Sequence, residues 1–530
     1  MSAVDSESGP PRPAPSGHGA SSDARAADVR TAMVGGARWV SMAQLLVQVM
    51  RLFGGMALAL IMGASEFGLL AVALLVTLFI DTTLKDLGFS AAIVQKPEEP
   101  GEDLSSLFWL NTFVGIAMTT ALFIGGSPLA RVLNAEGAGA LLSYAGFAFG
   151  LSTPAVVHWA LLRRRMNYKA VAALQLLGAS ITTIVPLGLA LAGWGAWSVV
   201  WGGNLAALAT TTLAWRLSGW RPSFRFRLDD VRPYARYSLN LSGSKIIDFA
   251  TANGDRLIVT RWLGTLALGY YNFGFRMMLT PIKILNSLTV EVMMPGLSRL
   301  QDHPAELRSA FRRVITVTAV LTLPVMLTLH VVTDPIFRML PSQWQPARTV
   351  VALLAVVGAV QGVMSPMHAV YLALGRTRLL FMWSITLAVV SITGYLLGVQ
   401  HGVVGVAWGY LGALGVLFLP HMGIPAHLVG VTLRRVLGDL APIVLAGLLL
   451  VAVGYLTVGV TGGLPAPASG VLTGLAALST YGLAVFFLRI PALGDLVRLL
   501  PLPSPLSVRL LAWLDSNPMA LTEVRAVGKG

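Results

Sequence analysis

Long apolar runs recur along this chain from residue 34 to residue 489, and their recurrence constrains the fold more than any motif does. A hydrocarbon layer about 30 Å thick needs roughly 20 residues of apolar helix to cross it. Fourteen such segments can be placed, at 34–63, 66–94, 106–127, 138–161, 168–192, 195–217, 237–262, 266–296, 312–338, 348–373, 377–399, 402–430, 437–461 and 466–489. In lipid only helices and closed barrels satisfy every backbone polar group, and runs of this length select the helix. Composition agrees: 12% of residues are charged, against about 25% in soluble domains, and mean hydropathy is +0.72. The expected fold is an all-α integral membrane protein with about 14 transmembrane helices.

Basic residues alternate between the two sets of connections. Nineteen Arg and Lys fall on one side, including Arg163, Arg164 and Arg165, six Arg between Arg216 and Arg236, and Arg312 and Arg313; the opposite loops hold only Arg131, Arg261, Arg338 and Arg348. The positive-inside rule assigns the first set and both termini to the cytoplasm. The net charge of +14 then reflects cytoplasmic loops rather than a nucleic-acid site. Trp194, Trp262 and Trp344 fall near the outer ends and Trp39, Trp215 and Trp220 near the inner ends, as interfacial belts would have them.

Three pairs of short stretches match at nearly one offset: IMGASEFGLL (61–70) with WLGTLALGYY (262–271), PLARVLN (128–134) with PIFRMLP (335–341), and GAWSVVWGG (195–203) with GVVGVAWGY (402–410). In the first, Gly63 and Gly68 align with Gly264 and Gly269. Their common order predicts a duplicated six-helix unit, so that two pseudo-symmetric six-helix bundles are followed by two extra helices. The expected division is a disordered cytoplasmic tail at 1–33, an N-lobe at 34–217, a cytoplasmic linker at 218–236, a C-lobe at 237–430, two further helices at 431–489 and an interfacial or disordered tail at 490–530. An even number of spans per unit relates the halves by an axis along the membrane normal, a recurring transporter plan.

Charges inside the spans identify the candidate site. A centrally placed charge costs about 2.5–3.5 kcal/mol on insertion scales, while each Leu, Ile, Val or Phe returns only about 0.3–0.6. Yet NLSGSKIIDFATANGDRLIVTRWLG (240–264) carries Lys245, Asp248, Asp255, Arg256 and Arg261. At 100° per residue the first four share one helical face, and Arg261 can snorkel from the end. Asn272, Arg276, Thr280, Lys283 and Asn286 form a second single-faced stripe, with no acid before Glu291. Gln44, Gln48 and Arg51 do the same in the first span, and Asp81, Lys85 and Asp86 lie in the second. Deep charges therefore concentrate in the first pair of helices of each half, as a shared wet cleft would require. Asp81–Lys85 and Lys245–Asp248 read equally well as structural pairs. Arg51 and Arg276 have no acid at helical spacing, which suits an anion such as a pyrophosphate that guanidinium can grip with two bonds.

Other chemistries find little support. With no Cys there is no thiolate nucleophile, disulfide or Cys-based metal site, and His158, His330 and His368 are scattered over separate helices. No phosphate-binding G-x-x-x-x-G-K-[ST] loop occurs. The loops leave no room for a separate catalytic domain, and Asp229-Asp230 is a weak sign of a metal-dependent glycosyltransferase. No cofactor is expected.

The stretches RLFGGMALALIMGASEFGLLA (51–71), LKDLGFSAAIVQK (84–96), FWLN (108–111), NGDRLIVTRWLGTLALGYYNFGFRM (253–277) and PGLSRLQ (295–301) resemble the Wzx-type polysaccharide transporters of the multidrug/oligosaccharidyl-lipid/polysaccharide exporter superfamily. The resemblance spans about residues 34–430, and Asp86–Gly88 and the run from Asp255 to Tyr271 are its most specific parts. It implies two six-helix bundles around a central cavity that move undecaprenyl-pyrophosphate-linked oligosaccharide across the cytoplasmic membrane, with membrane lipid and other polysaccharide-assembly proteins as partners. In the related lipid II flippases cationic cavity residues are thought to hold the pyrophosphate, and two additional helices to form a groove for the lipid tail.

The expected function is thus a flippase working by alternating access, not an enzyme. Arg51, Lys85, Lys245, Arg256, Asn272, Arg276 and Lys283 are its candidate substrate-binding residues, and Asp81, Asp86, Asp248 and Asp255 its candidate coupling carboxylates. A drug or cation antiporter of the same superfamily would need an acid-dominated cavity. A membrane-embedded assembly enzyme would need a large external loop.

Overall fold

The computed structural model describes residues 18–85, 93 and 103–490, with side chains described at all of these except 18–41, 103, 233–244, 247–248, 287–298 and 377. Asp86 lies outside the described residues, as do Asp248 and Glu291 for their side chains, and so does the tail expected after residue 490.

Helices and short connections make up the whole of the described chain. In order they are α1 (His18–Thr83), α2 (Asp103–Val132), α3 (Gly139–Ala145), α4 (Phe147–Ser152), α5 (Val156–Arg164), α6 (Tyr168–Leu191), α7 (Trp197–Ser218), α8 (Leu228–Arg299), α9 (Pro304–Met339), α10 (Ala347–Met364), α11 (Met367–Ala373), α12 (Thr377–Gly398), α13 (Gly402–Val429), α14 (Leu433–Val460) and α15 (Ala466–Phe487). Among the described residues nine helical stretches are long and apolar enough to cross a membrane, and two of these, Met42–Thr83 and Arg378–Val429, have the length of two crossings. Large apolar side chains such as Leu191, Leu448, Val460 and Phe487 are 62–87% exposed, which water would not tolerate over so much surface but acyl chains do.

Departures from the expected segments have local causes. Helix α1 begins at His18, further back than the first apolar run. The segment expected at 138–161 is built from α3, α4 and α5, with a 3-10 turn at Thr153–Ala155 where Pro154 lacks the N–H that a continuous helix needs. The segment at 348–373 breaks in the same way at Pro366, between α10 and α11. Trp344 is not interfacial: it is fully buried, edge-on to Phe67 at 5.8 Å and stacked obliquely on Phe273 at 4.7 Å.

The backbone turns recur in pairs. α1 breaks at Gly63 (φ 80°, ψ 168°) and α8 at Gly264 (φ 80°, ψ −176°), a conformation open to glycine because it has no Cβ. Left-handed residues also pair as Met166 with Gly375, Gly195 with Gly402, and Gly219 with Gly430, the last two closing α7 and α13. Just past their breaks α1 and α8 touch backbone to backbone. A Cβ on Gly68 would lie 2.0 Å from the Thr265 carbonyl oxygen, and one on Gly269 would lie 2.4 Å from that of Ala64. The contact is reciprocal, each glycine facing the residue four before the other, as in an isologous interface.

Two cores flank this crossing. Phe67, Leu70, Phe273, Phe337 and Trp344 join α1, α8 and the segment between α9 and α10, while the largest core ties α8–α11 to α13, α14 and α15. Helices α14 and α15 pack on α9, where Arg312 grips Asp439 with two bonds, Nε–Oδ2 at 2.6 Å and Nη2–Oδ1 at 2.7 Å. Asp439, near the start of α14, thereby has its partner.

Candidate functional site

The two arms of α8 on either side of Gly264 carry most of the candidate residues, and α1 faces them. Arg276 is the centre of the arrangement. Its side chain is largely buried and reaches from α8 to α1, where Nη1 would lie 1.7 Å from a Cβ placed on Gly55. Its guanidinium also lies 5.7 Å from the centre of the Phe67 ring. Gly55 is therefore the notch that admits the cation. Among the described residues no carboxylate pairs with Arg276. Arg51, on the same helix as Gly55, is exposed and likewise has no acidic partner among them. Arg51 and Arg256 are close enough for their charges to act on both Arg276 and Lys283. Four cations from both ends of the chain's symmetric pair of helices thus share one electrostatic neighbourhood, with a net charge that an anion would neutralise.

Arg256 and Asp255 are adjacent in sequence but part in space. Asp255 is 2% exposed; its Oδ2 accepts from the Tyr271 hydroxyl at 2.8 Å and its Oδ1 from the Arg256 backbone N–H at 2.8 Å. The carboxylate thus staples the two arms of α8 across the Gly264 break. The Arg256 guanidinium donates from Nη1 to Asn253 Oδ1 at 3.0 Å and lies 4.0 Å over the Phe275 ring, while its Nε has no partner.

A cavity of about 880 Å³ opens beside these residues. It lies among α8, α10, α11, α12 and α13, and Leu78 of α1 also lines it. Asp255, Arg256 and Lys283 are on its wall, as are uncharged polar groups from later helices. Gln361 Oε1 is buried with no partner, and Asn286 accepts from the Ser365 hydroxyl at 2.8 Å, which leaves its amide N–H groups to donate. Tyr395 and Tyr410 pack edge-on at 5.2 Å. His421 accepts from Trp383 Nε1 at 2.6 Å and contacts the Met364 carbonyl at 3.1 Å, so both ring nitrogens are occupied.

The remaining candidates are placed less centrally. Lys85 pairs with Asp81 at 2.7 Å, the structural pairing that i,i+4 spacing allows, and Asp81 is half exposed. Lys245 is half-buried in the first arm of α8 with no pairing to a described acid, and Asn272 is half-buried in the second arm. Neither lines the cavity. Among the described residues no cluster of three potential metal ligands occurs. Charge spacing located Arg276, Lys283 and Arg256. It missed Tyr271, Gln361, Asn286's partner Ser365 and the Tyr395–Tyr410 pair, because uncharged polar residues in apolar helices carry no comparable penalty to betray them.

Comparison with known proteins is consistent across sequence and fold. The profile of the family described as polysaccharide biosynthesis protein matches residues 57–349. The chain is 31% identical over 339 residues to the succinoglycan biosynthesis transport protein ExoT of Rhizobium meliloti (strain 1021), covering 63% of this chain and 68% of that protein. It is 27% identical over 391 residues to the lipopolysaccharide biosynthesis protein WzxC of Escherichia coli (strain K12), covering 72% and 78% respectively. Among solved structures, the lipid II flippase MurJ in an inward closed conformation superposes with a TM-score of 0.68 at 16% identity, over 85% of this chain and 98% of that one. An inward-facing multidrug resistance MATE family transporter gives 0.57 at 16% identity, over 74% and 99%. The structural likeness establishes a shared fold.

Proposed function

Because the chain belongs to the polysaccharide biosynthesis protein family, we propose that it is a flippase that carries undecaprenyl-pyrophosphate-linked oligosaccharide across the cytoplasmic membrane by alternating access. Two six-helix lobes, 34–217 and 237–430, rock about the α1–α8 crossing, and the arginine-rich end faces the cytoplasm with both termini. The observation that carries this reading is Arg276: a largely buried guanidinium lodged in the notch of Gly55, with no acid against it among the described residues, and with Arg51, Arg256 and Lys283 in the same field. An intramembrane cation without a counter-ion is expensive, and a ligand anion offsets that cost when it binds.

The pyrophosphate meets Arg51, Arg276 and Lys283, and the polyprenyl chain stays in lipid beside the lobes. The substrate's own charge supplies the missing counter-ions, so binding stabilises a closed cleft that is electrostatically strained when empty. Asp255 is the coupling carboxylate best supported, since protonation there would weaken its hold on Tyr271 and the Arg256 N–H and loosen α8 at Gly264. The antiporter alternative asks for an acidic cavity, whereas Asp255, the one carboxylate lining it among the described residues, shares the wall with Arg256 and Lys283.

The test is the double variant Arg276→Ala/Lys283→Gln in proteoliposomes loaded with the lipid-linked oligosaccharide. Charge-assisted bonds contribute about 1.5–3 kcal/mol each, so flipping should fall at least roughly tenfold. Undiminished flipping at normal expression would remove the basis of the phosphate role.

A further inference from the structure

We propose that the cavity among α8 and α10–α13 holds the sugar ring attached directly to the pyrophosphate. The inference rests on the flippase reading and adds to it a second, separate subsite.

Position comes first. Arg276 and Lys283 stand on one face of α8, seven residues or about 10 Å apart along the axis. Arg276 lies in the notch between α1 and α8, away from the cavity, whereas Lys283 lines the cavity itself. A pyrophosphate spanning from one cation toward the other would deliver its first glycosidic bond to the cavity wall. Among the described residues only Leu78 lines it from α1, so a ring that entered would leave the α1–α8 interface and lodge inside the second half.

The chemistry of the wall follows. A pyranose presents hydroxyls that both donate and accept, and a C–H face that packs on aromatic rings. The cavity offers the complement: Gln361 Oε1 as a buried acceptor without a partner, the free Asn286 amide donors, and the Ser384 hydroxyl, set among Phe381 and the Tyr395–Tyr410 pair. An orphaned buried acceptor is expensive, and a donor from the ligand repays it. Its volume of about 880 Å³ sits within the roughly 300–1,000 Å³ of ligand cavities.

Asp255 is consumed by Tyr271 and the Arg256 N–H, and both His421 nitrogens are taken. Arg256 donates to Asn253 and lies over Phe275, but its buried Nε has no partner and adds a donor that a ring hydroxyl can meet. Lys283 belongs to the phosphate. A metal has no ligand cluster here among the described residues, and a purely apolar molecule would leave Gln361 unpaired.

The experiment measures affinity in nanodiscs for two probes, undecaprenyl pyrophosphate and undecaprenyl-pyrophosphate-linked glucose. The wild type should bind the glycosylated lipid at least roughly tenfold more tightly. Gln361→Leu and Ser384→Val should each shrink that difference, with affinity for the bare lipid unchanged. Equal affinity of the wild type for the two lipids, or a difference that survives both substitutions, overturns the sugar subsite while the flippase reading stands. Failure of both lipids to bind overturns the flippase reading, and the subsite with it.

Discussion

At Gly55 a single methyl group would lie 1.7 Å from Arg276 Nη1, so a side chain there and the present guanidinium position are mutually exclusive. The obstructed atom is the far end of a flexible side chain, so Gly55→Ala should fold and the arginine should move. The expected outcome is transport reduced roughly tenfold with a melting temperature in detergent close to wild type, measured on the same preparation; unaltered transport would show that Arg276 need not sit in the notch. Tyr271 is the reverse case. Removing its hydroxyl leaves a buried Asp255 oxygen with no donor, a loss of about 1–3 kcal/mol. Tyr271→Phe should therefore lower thermal stability, and Tyr271→Phe/Asp255→Asn should recover part of it, since an amide tolerates the lost bond better than a carboxylate does. These residues also mark the limit of what a sequence reveals. Arg276 and Lys283 stood out because a charge in lipid is costly wherever it points. Gly55 and Tyr271 are ordinary among so many glycines and aromatics, and only the neighbour each meets across the fold gives it a role.

At the scale of helices, the apolar runs were enough to locate most of the long described helices, because a bilayer demands a minimum apolar length of each crossing. The aligned glycines were legible too: Gly63 and Gly264 adopt the same positive φ, and Gly68 and Gly269 meet each other. Breaks at Pro154 and Pro366 were not foreseen, since proline is tolerated within other helices of this chain, such as α6 and α9. Trp344 was misplaced for a related reason: a tryptophan near a helix end suits an interface and a buried plug alike, and packing against Phe67, Tyr270 and Phe273 decides it. Between elements, Arg312 and Asp439 form one polar link between α9 and α14, and His330 with the Tyr455 hydroxyl at 2.9 Å forms another. Arg312 and Asp439 are both about three-quarters covered, so the pair sits between the exposed and the buried regimes. Asp439→Asn should lower stability by about 1–3 kcal/mol. A double-mutant cycle with Arg312→Ala, read by thermal unfolding, should show coupling, and strictly additive losses would mean that this ion pair does not hold α14.

For the whole molecule, alternating access requires that one end of the cleft be shut when the other is open, and the reciprocal glycine contact is where the two helices have no space left between them. A Cβ at position 68 meets backbone, the Thr265 carbonyl, which cannot swing aside as a long side chain can. Gly68→Val is therefore a wedge that should part α1 from α8 at the end marked by Gly63, Gly264 and Trp344. Interiors are close-packed and answer such a wedge by changing state rather than by yielding locally. The absence of any native cysteine allows a direct readout. Ala64→Cys places a thiol at a site 2% exposed beside the crossing, where a membrane-impermeant maleimide should react slowly. Adding Gly68→Val should raise its labelling rate severalfold and lower transport together, because a cleft that cannot close at this end cannot complete the cycle. If labelling stays slow while transport falls, the crossing is structural and the pivot lies elsewhere; if neither changes, the two helices do not depend on that contact to separate the two sides of the membrane.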